Sequence, residues 1–286
     1  MISKLIKKSF KDVNNSPAIT LFLVLFLILL SLFIPYVFIL QPKIFGLLVL
    51  VCIFLLFAVF FGGWLQLFDE AGKEEKKPLT GVFFEGAGKN IIPSIIAIII
   101  YSIAIVLVSY IAIAISLKAF GDPSFLMKDI SAISGDSNAY LDYINNLSSD
   151  KMFILYGWQI TFTLLYSVFN FFFMFLPPAF IKTEAKNVFL KPLNAYLECF
   201  KFIFKNFGIS IGLYAIFCLA FMLMGILKAL TSFNPILSVV NLFIHIYFVS
   251  YVVMIIFNCY EQKNSNSDRS DSVGEDNNGD TTGEQT

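Results

Sequence analysis

The sequence predicts an all-α polytopic membrane protein with six transmembrane helices, and three observations carry that expectation. Apolar residues make up 58% of the 286 positions and charged residues only 14%, where soluble domains hold about 25% charged. The apolar residues fall in six long runs. Charged residues gather between those runs, with lysine concentrated in alternate connections.

The first sixteen residues, 1–16, read as a basic interfacial helix. Ile2, Leu5, Ile6, Phe10 and Val13 share one helical face, and Lys4, Lys8 and Lys11 lie opposite, the pattern of a helix lying in a headgroup layer. Near an anionic leaflet each lysine contributes about 1 kcal/mol. A six-span membrane domain follows over 17–260, with spans at about 18–40, 44–68, 91–117, 152–181, 209–227 and 235–257. Each run supplies the roughly 20 helical residues that cross a hydrocarbon core. The first run is too long for a signal-peptide core and lacks a small-x-small cleavage site, so it reads as an anchor. The segment 261–286 has seven acids, two bases and Val273 as its one large apolar residue, the composition of a disordered tail.

Basic residues orient the bundle. Fifteen of the 20 fall before the first span, in the second and fourth connections, or after the sixth span. Both termini are therefore expected in the cytoplasm, in a multi-pass protein of the plasma membrane. On the other side, the connection from Gly121 to Asp150 is long enough to present a surface. Within it "NAYLDYINNL" is expected to form a short helix, with Tyr140, Tyr143, Ile144 and Leu147 turned to the bundle.

Two connections share a charged pattern. "EAGKEEKKPL" begins at Glu70 and "EAKNVFLKPL" at Glu184, so Glu70, Lys77 and Pro78 correspond to Glu184, Lys191 and Pro192. Farther on, Phe84, Lys89, Asn90, Ser94 and Ile95 match Phe200, Lys205, Asn206, Ser210 and Ile211 in spacing. Proline costs no hydrogen bond at a first helical turn, so Pro78 and Pro192 are expected to start helices. In the second copy Leu193, Tyr196, Leu197, Phe200, Ile203, Phe204 and Phe207 form an apolar face, with Asn194, Glu198, Lys201 and Lys205 opposite. The first copy carries three glycines and is expected to be a weaker interfacial helix. Upstream, Gly62-Gly63 and Pro177-Pro178 read as helix-breaking pairs. With the N-terminal helix as a third member, the expected plan is a threefold repeat of interfacial helix and two spans, all in one orientation.

The arrangement "EAKNVFLKPLNAYLECFKFIFKNFG" before a span resembles a broad group of uncharacterised prokaryotic six-span proteins. These are similar to the membrane domain fused ahead of the catalytic domain in some glycerophosphodiester phosphodiesterases. In that group an acidic residue, a Pro-led turn and an amphipathic helix ending in Lys-Asn precede a span. The resemblance covers roughly residues 1–260 and implies the six-span fold, but no activity. The fused catalytic domain and its His and Glu residues are missing from this sequence.

Chemistry is sparse. The single histidine, His245, lies in the sixth span with Asn241 four residues before it. These two, with Gln159 and Asn170, are the polar candidates at membrane depth, where an ionisable group is a functional candidate by default. Bonding between helices is the plainer account of all four. No catalytic set is present, no cofactor is implied, and Cys52, Cys199, Cys218 and Cys259 are too dispersed for metal ligation or a redox motif. Zero formal charge gives no basic excess for nucleic acid. For Glu70 and Glu184 the sequence favours local pairing, with Lys73 and with Lys186 or Lys191, over a shared ligand. The resulting expectation is a non-enzymatic accessory or scaffold protein acting through anionic lipids at the cytoplasmic face and through other membrane proteins. The alternative is a transporter or channel for a small solute.

Overall fold

The computed structural model describes residues 2–39, 44–73, 77–124 and 146–275, and all secondary structure among them is helical. In chain order the helices are α1 (Ile2–Asn14), α2 (Ala18–Ile39), α3 (Ile44–Ala71), α4 (Leu79–Phe120), α5 (Ser149–Phe173), α6 (Leu176–Lys182), α7 (Lys191–Lys205), α8 (Phe207–Thr231) and α9 (Pro235–Glu275). Six segments are long and apolar enough to span a bilayer, and the protein is a multi-pass helical membrane protein. Most of their surface is apolar and outward-facing, as expected when lipid replaces water as solvent. The loop helix expected around Tyr140, Tyr143 and Ile144 lies outside the described residues.

Two compact units divide the chain. One is Ile99–Phe172; the other combines Met1–Ile98 with Phe173–Thr286. In the smaller unit, the second part of α4 and most of α5 are joined by Ser109 Oγ and Tyr166 Oη at 2.6 Å. Tyr101 packs on Phe169 with centroids 5.3 Å apart. Gly121, at φ 97°, ends α4, and its carbonyl accepts from Trp158 Nε1 at 3.0 Å. Only glycine adopts that left-handed stop without steric cost.

In the larger unit, the end of α3, α6 and the middle of α9 pack on one another. Phe68 of α3 stacks on Phe257 of α9 at 5.5 Å, and Phe61 meets Phe180 of α6 at 6.0 Å. Phe68, Phe180 and Phe257 are fully buried. Three amphipathic segments surround this centre, each against an even span. Helix α1 is bound to α9, where Asn258 Nδ2 donates to Ser9 Oγ and Asp12 Oδ2, both at 3.0 Å, and Tyr251 Oη donates to the Ile6 carbonyl. Helix α7 packs on the turn before α6, where Phe202 lies 4.5 Å from Phe175. The start of α4 meets α3.

That last contact corrects the reading of Gly62-Gly63 as a break. Helix α3 runs unbroken from Ile44 to Ala71. A Cβ on Gly62 would lie 2.9 Å from Asn90 Cβ, and one on Gly63 only 2.7 Å from the Phe83 carbonyl. The glycines exist for close helix approach, the ordinary use of small residues between membrane helices. Pro177-Pro178 does coincide with a break: α5 ends at Phe173, and α6 restarts at Leu176 with proline in its first turn.

A second correction concerns the first charged copy. It forms no separate interfacial helix. Leu79–Phe120 is one helix of 42 residues, about 63 Å long at ~1.5 Å per residue. The counterpart asparagines sit differently. Asn206, at the junction of α7 and α8, donates its side-chain amide to the Phe202 carbonyl at 3.1 Å. Asn90 lies inside α4, and its side-chain oxygen accepts from Lys191.

The amphipathic faces also divide more finely than expected. In α7, Ala195, Tyr196, Cys199, Phe202 and Ile203 face the protein, while Leu193, Leu197 and Phe204 are exposed. In α1 the inward face is Leu5, Ser9 and Val13, and Phe10 points out, 51% exposed. A common register connects the three segments: Lys11-Asp12 with Ser16, Lys89-Asn90 with Ser94, and Lys205-Asn206 with Ser210. All three serines are buried, as are Leu5, Phe83 and Cys199 six residues before each lysine, and the lysines are exposed.

Finally, α9 continues to Glu275, so the segment from Glu261, expected to be disordered, begins as helix. A span already supplies the nucleus, and each added residue then gains a backbone bond without a new nucleation cost. Residues 276–286 lie outside the described residues.

Gly63→Ala is expected to lower stability by about 1–3 kcal/mol, since the new methyl meets backbone instead of a movable side-chain tip. A thermal melt of the purified protein in detergent checks this; an unchanged midpoint refutes the close-approach account.

Candidate functional site

Charged residues converge where α3 and α6 end and the apolar part of α9 gives way to polar residues. Lys182 of α6 pairs with Asp69 of α3 and, at 2.7 Å, with Glu261 of α9. Lys73 adds pairs to Asp69 at 3.2 Å and to Glu70 at 2.9 Å. One cation thereby joins all three span ends. The bond to Glu70 raises the Lys73 pKa above the usual lysine value, with a further contribution from Asp69 against a modest burial penalty. A raised lysine pKa means that the pair's contribution is complete at neutral pH and is lost only as pH climbs through that elevated value.

Glu70 explains half of the repeated pattern. Its Oε2 holds Lys73, and its Oε1 accepts the backbone N–H of Lys77 at 2.9 Å. Pro78 follows, and its carbonyl accepts from Val82 N in the first turn of α4. The acid thus closes the chain into the next helix. The second copy uses the same letters otherwise. Glu184 is exposed and makes no ion pair among the described residues, which corrects the expected pairing with Lys186 or Lys191. Lys191 instead turns inward: it is 9% exposed, donates from Nζ to Asn90 Oδ1 at 2.8 Å, and lies over the Phe180 ring. Pro192 sits at the start of α7. Lys191 therefore binds one copy of the pattern to the other.

Beside this contact opens a cleft of about 740 Å³, lined by Gln66, Asp69, Lys89, Pro93, Lys182, Glu184, Lys186 and Lys191 among others. Four of these are lysines and two are carboxylates. Burial, then repulsion from Lys89, depresses the Lys191 pKa, and Glu184 opposes the shift. A lysine so placed favours anions, which relieve both penalties.

The polar span candidates are placed differently. His245 Nδ1 lies 3.1 Å from the Asn241 carbonyl, one turn back on α9. Asn241 is buried, and its Oδ1 has no partner among the described residues. Gln159 and Asn170 belong to the smaller unit and are exposed on α5. No group of three or more His, Cys, Asp or Glu among the described residues could hold a metal. Cys199 and Cys259 are buried free thiols. Sequence reasoning missed Asp69, Lys182, Asn258 and Glu261 as a set; their one signal was charge or amide at the last turn of an apolar run.

Comparison with known protein families, with curated proteins and with solved structures finds no match. The likeness to phosphodiesterase membrane domains gains no support from them.

Lys182→Met is expected to cost about 1–2 kcal/mol, the range for a partly exposed pair that leaves two carboxylates uncompensated. Lys182→Arg should retain most of it; equal melting of both variants and the parent refutes the node. Burial pushes the Cys199 thiol up to about 12, so a polar maleimide at pH 8 should leave it unmodified until the protein unfolds.

Proposed function

We propose that this chain is a non-enzymatic accessory or scaffold protein of the plasma membrane, with both termini in the cytoplasm, acting through anionic lipids and other membrane proteins. The observation that carries the reading is the surface of α7. Leu193, Leu197 and Phe204 form an exposed apolar stripe, and Asn194, Glu198, Lys201 and Lys205 follow the same spacing one residue on. One residue is about 100° of helix, so the stripes lie side by side: one suited to acyl chains, one to water and phosphates. Helix α1 repeats the arrangement with Phe10 beside Lys7 and Lys11.

One observation favours the transport alternative: the buried, unpartnered Oδ1 of Asn241 in the sixth span. Solute flux into liposomes that disappears in Asn241→Ala or His245→Ala would replace the scaffold reading.

The direct test places a bimane probe at Phe204→Cys in nanodiscs containing brominated anionic lipid. Quenching should be strong in the parent and fall by about half with Lys201→Glu and Lys205→Glu together, given ~1 kcal/mol per lysine at an anionic surface. Unchanged quenching defeats the interfacial reading. Reporter fusions placing either terminus outside would defeat the orientation.

A further inference from the structure

We infer that the lysine-lined cleft is a specific binding site for the phosphate of an anionic phospholipid, held on Lys89, Lys186 and Lys191. The inference rests on the lipid-interacting reading above and deepens it, from a surface that attracts lipid to one site that holds it.

The charge of the cleft is the first argument. Lys182 is committed to Asp69 and Glu261. Lys89, Lys186 and Lys191 make no ion pair among the described residues, and Glu184 is the one other carboxylate lining the space. Three lysines against one acid leave an anion missing. The second argument is Lys191, a residue only 9% exposed, whose ammonium has one neutral acceptor, Asn90 Oδ1, and the Phe180 ring beside it. Burying a cation without an anion is costly, and two of its three donors remain for a ligand. Asn90 Nδ2 and Ser94 Oγ, buried with no partner among the described residues, lie toward Gly62 of α3 and take no part in lining the cleft. An ammonium with donors to spare, in a cleft shared with Lys89 and Lys186, suits a compact, acceptor-rich anion, and phosphate is the common one.

The rim selects the source. Val188 lines the cleft and is exposed, and Phe189 and Leu190 after it are exposed too, with Phe189 at 63%. Three apolar side chains outside a cationic pocket are wasted on free phosphate. They provide a place for acyl chains to leave the site. Free phosphate is therefore the competing occupant that the experiment has to separate.

The test titrates the full chain, in neutral detergent, with dioctanoyl phosphatidylglycerol, dioctanoyl phosphatidylcholine or inorganic phosphate, reading the thermal midpoint. Phosphatidylglycerol should raise it in the parent, and the other two should not at the same concentrations. Lys89→Gln with Lys186→Gln, both exposed and outside the core, should raise the half-saturating lipid by about fivefold for each lysine. Lys191→Met should do so by at least as much, and Lys228→Gln, exposed in the last turn of α8, should change nothing. Equal shifts from both lipids, a matching shift from inorganic phosphate, or variants titrating like the parent overturns the site. Should the titration fail while the probe at position 204 still reports anionic lipid, the cleft is wrong and the wider reading survives. The reverse pattern leaves the cleft and removes the surface.

Discussion

Lys182 occupies the point on which the larger unit turns. The last turns of α3 and α6 and the end of the sixth span in α9 each bring an acid or a base to the same place, where apolar spans give way to polar residues. Three helices leaving a bilayer side by side have their backbones satisfied internally, so nothing in the backbone fixes their mutual register. The charge contacts, above the buried layer of Phe68, Phe180 and Phe257, supply that register. Once those ends are fixed, the amphipathic segments have a wall to pack against, and the bonds from Asn258 to α1 and from Lys191 to Asn90 follow.

The three segments solve one problem with different chemistry. Each must turn an inward face to a neighbouring span while keeping lysine outside, and the shared register of Lys11, Lys89 and Lys205 does this. The inward contacts then diverge. Against α9 they are polar, through Ser9 and Asp12; against α3 they are glycine crossings; against α6 they are aromatic, through Phe202 and Phe175. Repetition of layout coexists with replacement of nearly every contact.

The spans were legible because hydrocarbon permits one solution, and twenty uncharged residues announce it. The helix starts at Pro78 and Pro192 were legible for a similarly local reason, the missing N–H. What escaped was any residue whose role depends on a distant partner. Gly62-Gly63 looks like a break when read along the chain, and becomes a contact surface only when Phe83 and Asn90 are set against it. Glu70 and Glu184 have one sequence signature and two fates, since the second copy's lysine is drawn toward Asn90. The cleft was invisible for the same reason: its lysines come from the start of α4, the end of α6 and the connection into α7, and no linear spacing brings them together.

Helix α4 enters the larger unit at Leu79 and finishes in the smaller one at Phe120, and Pro93 interrupts its ladder. A proline has no hydrogen to offer the carbonyl four residues back, which here is that of Lys89. The rod is therefore softest within one turn of the asparagine that grips Lys191, and bending concentrates where the cleft is lined.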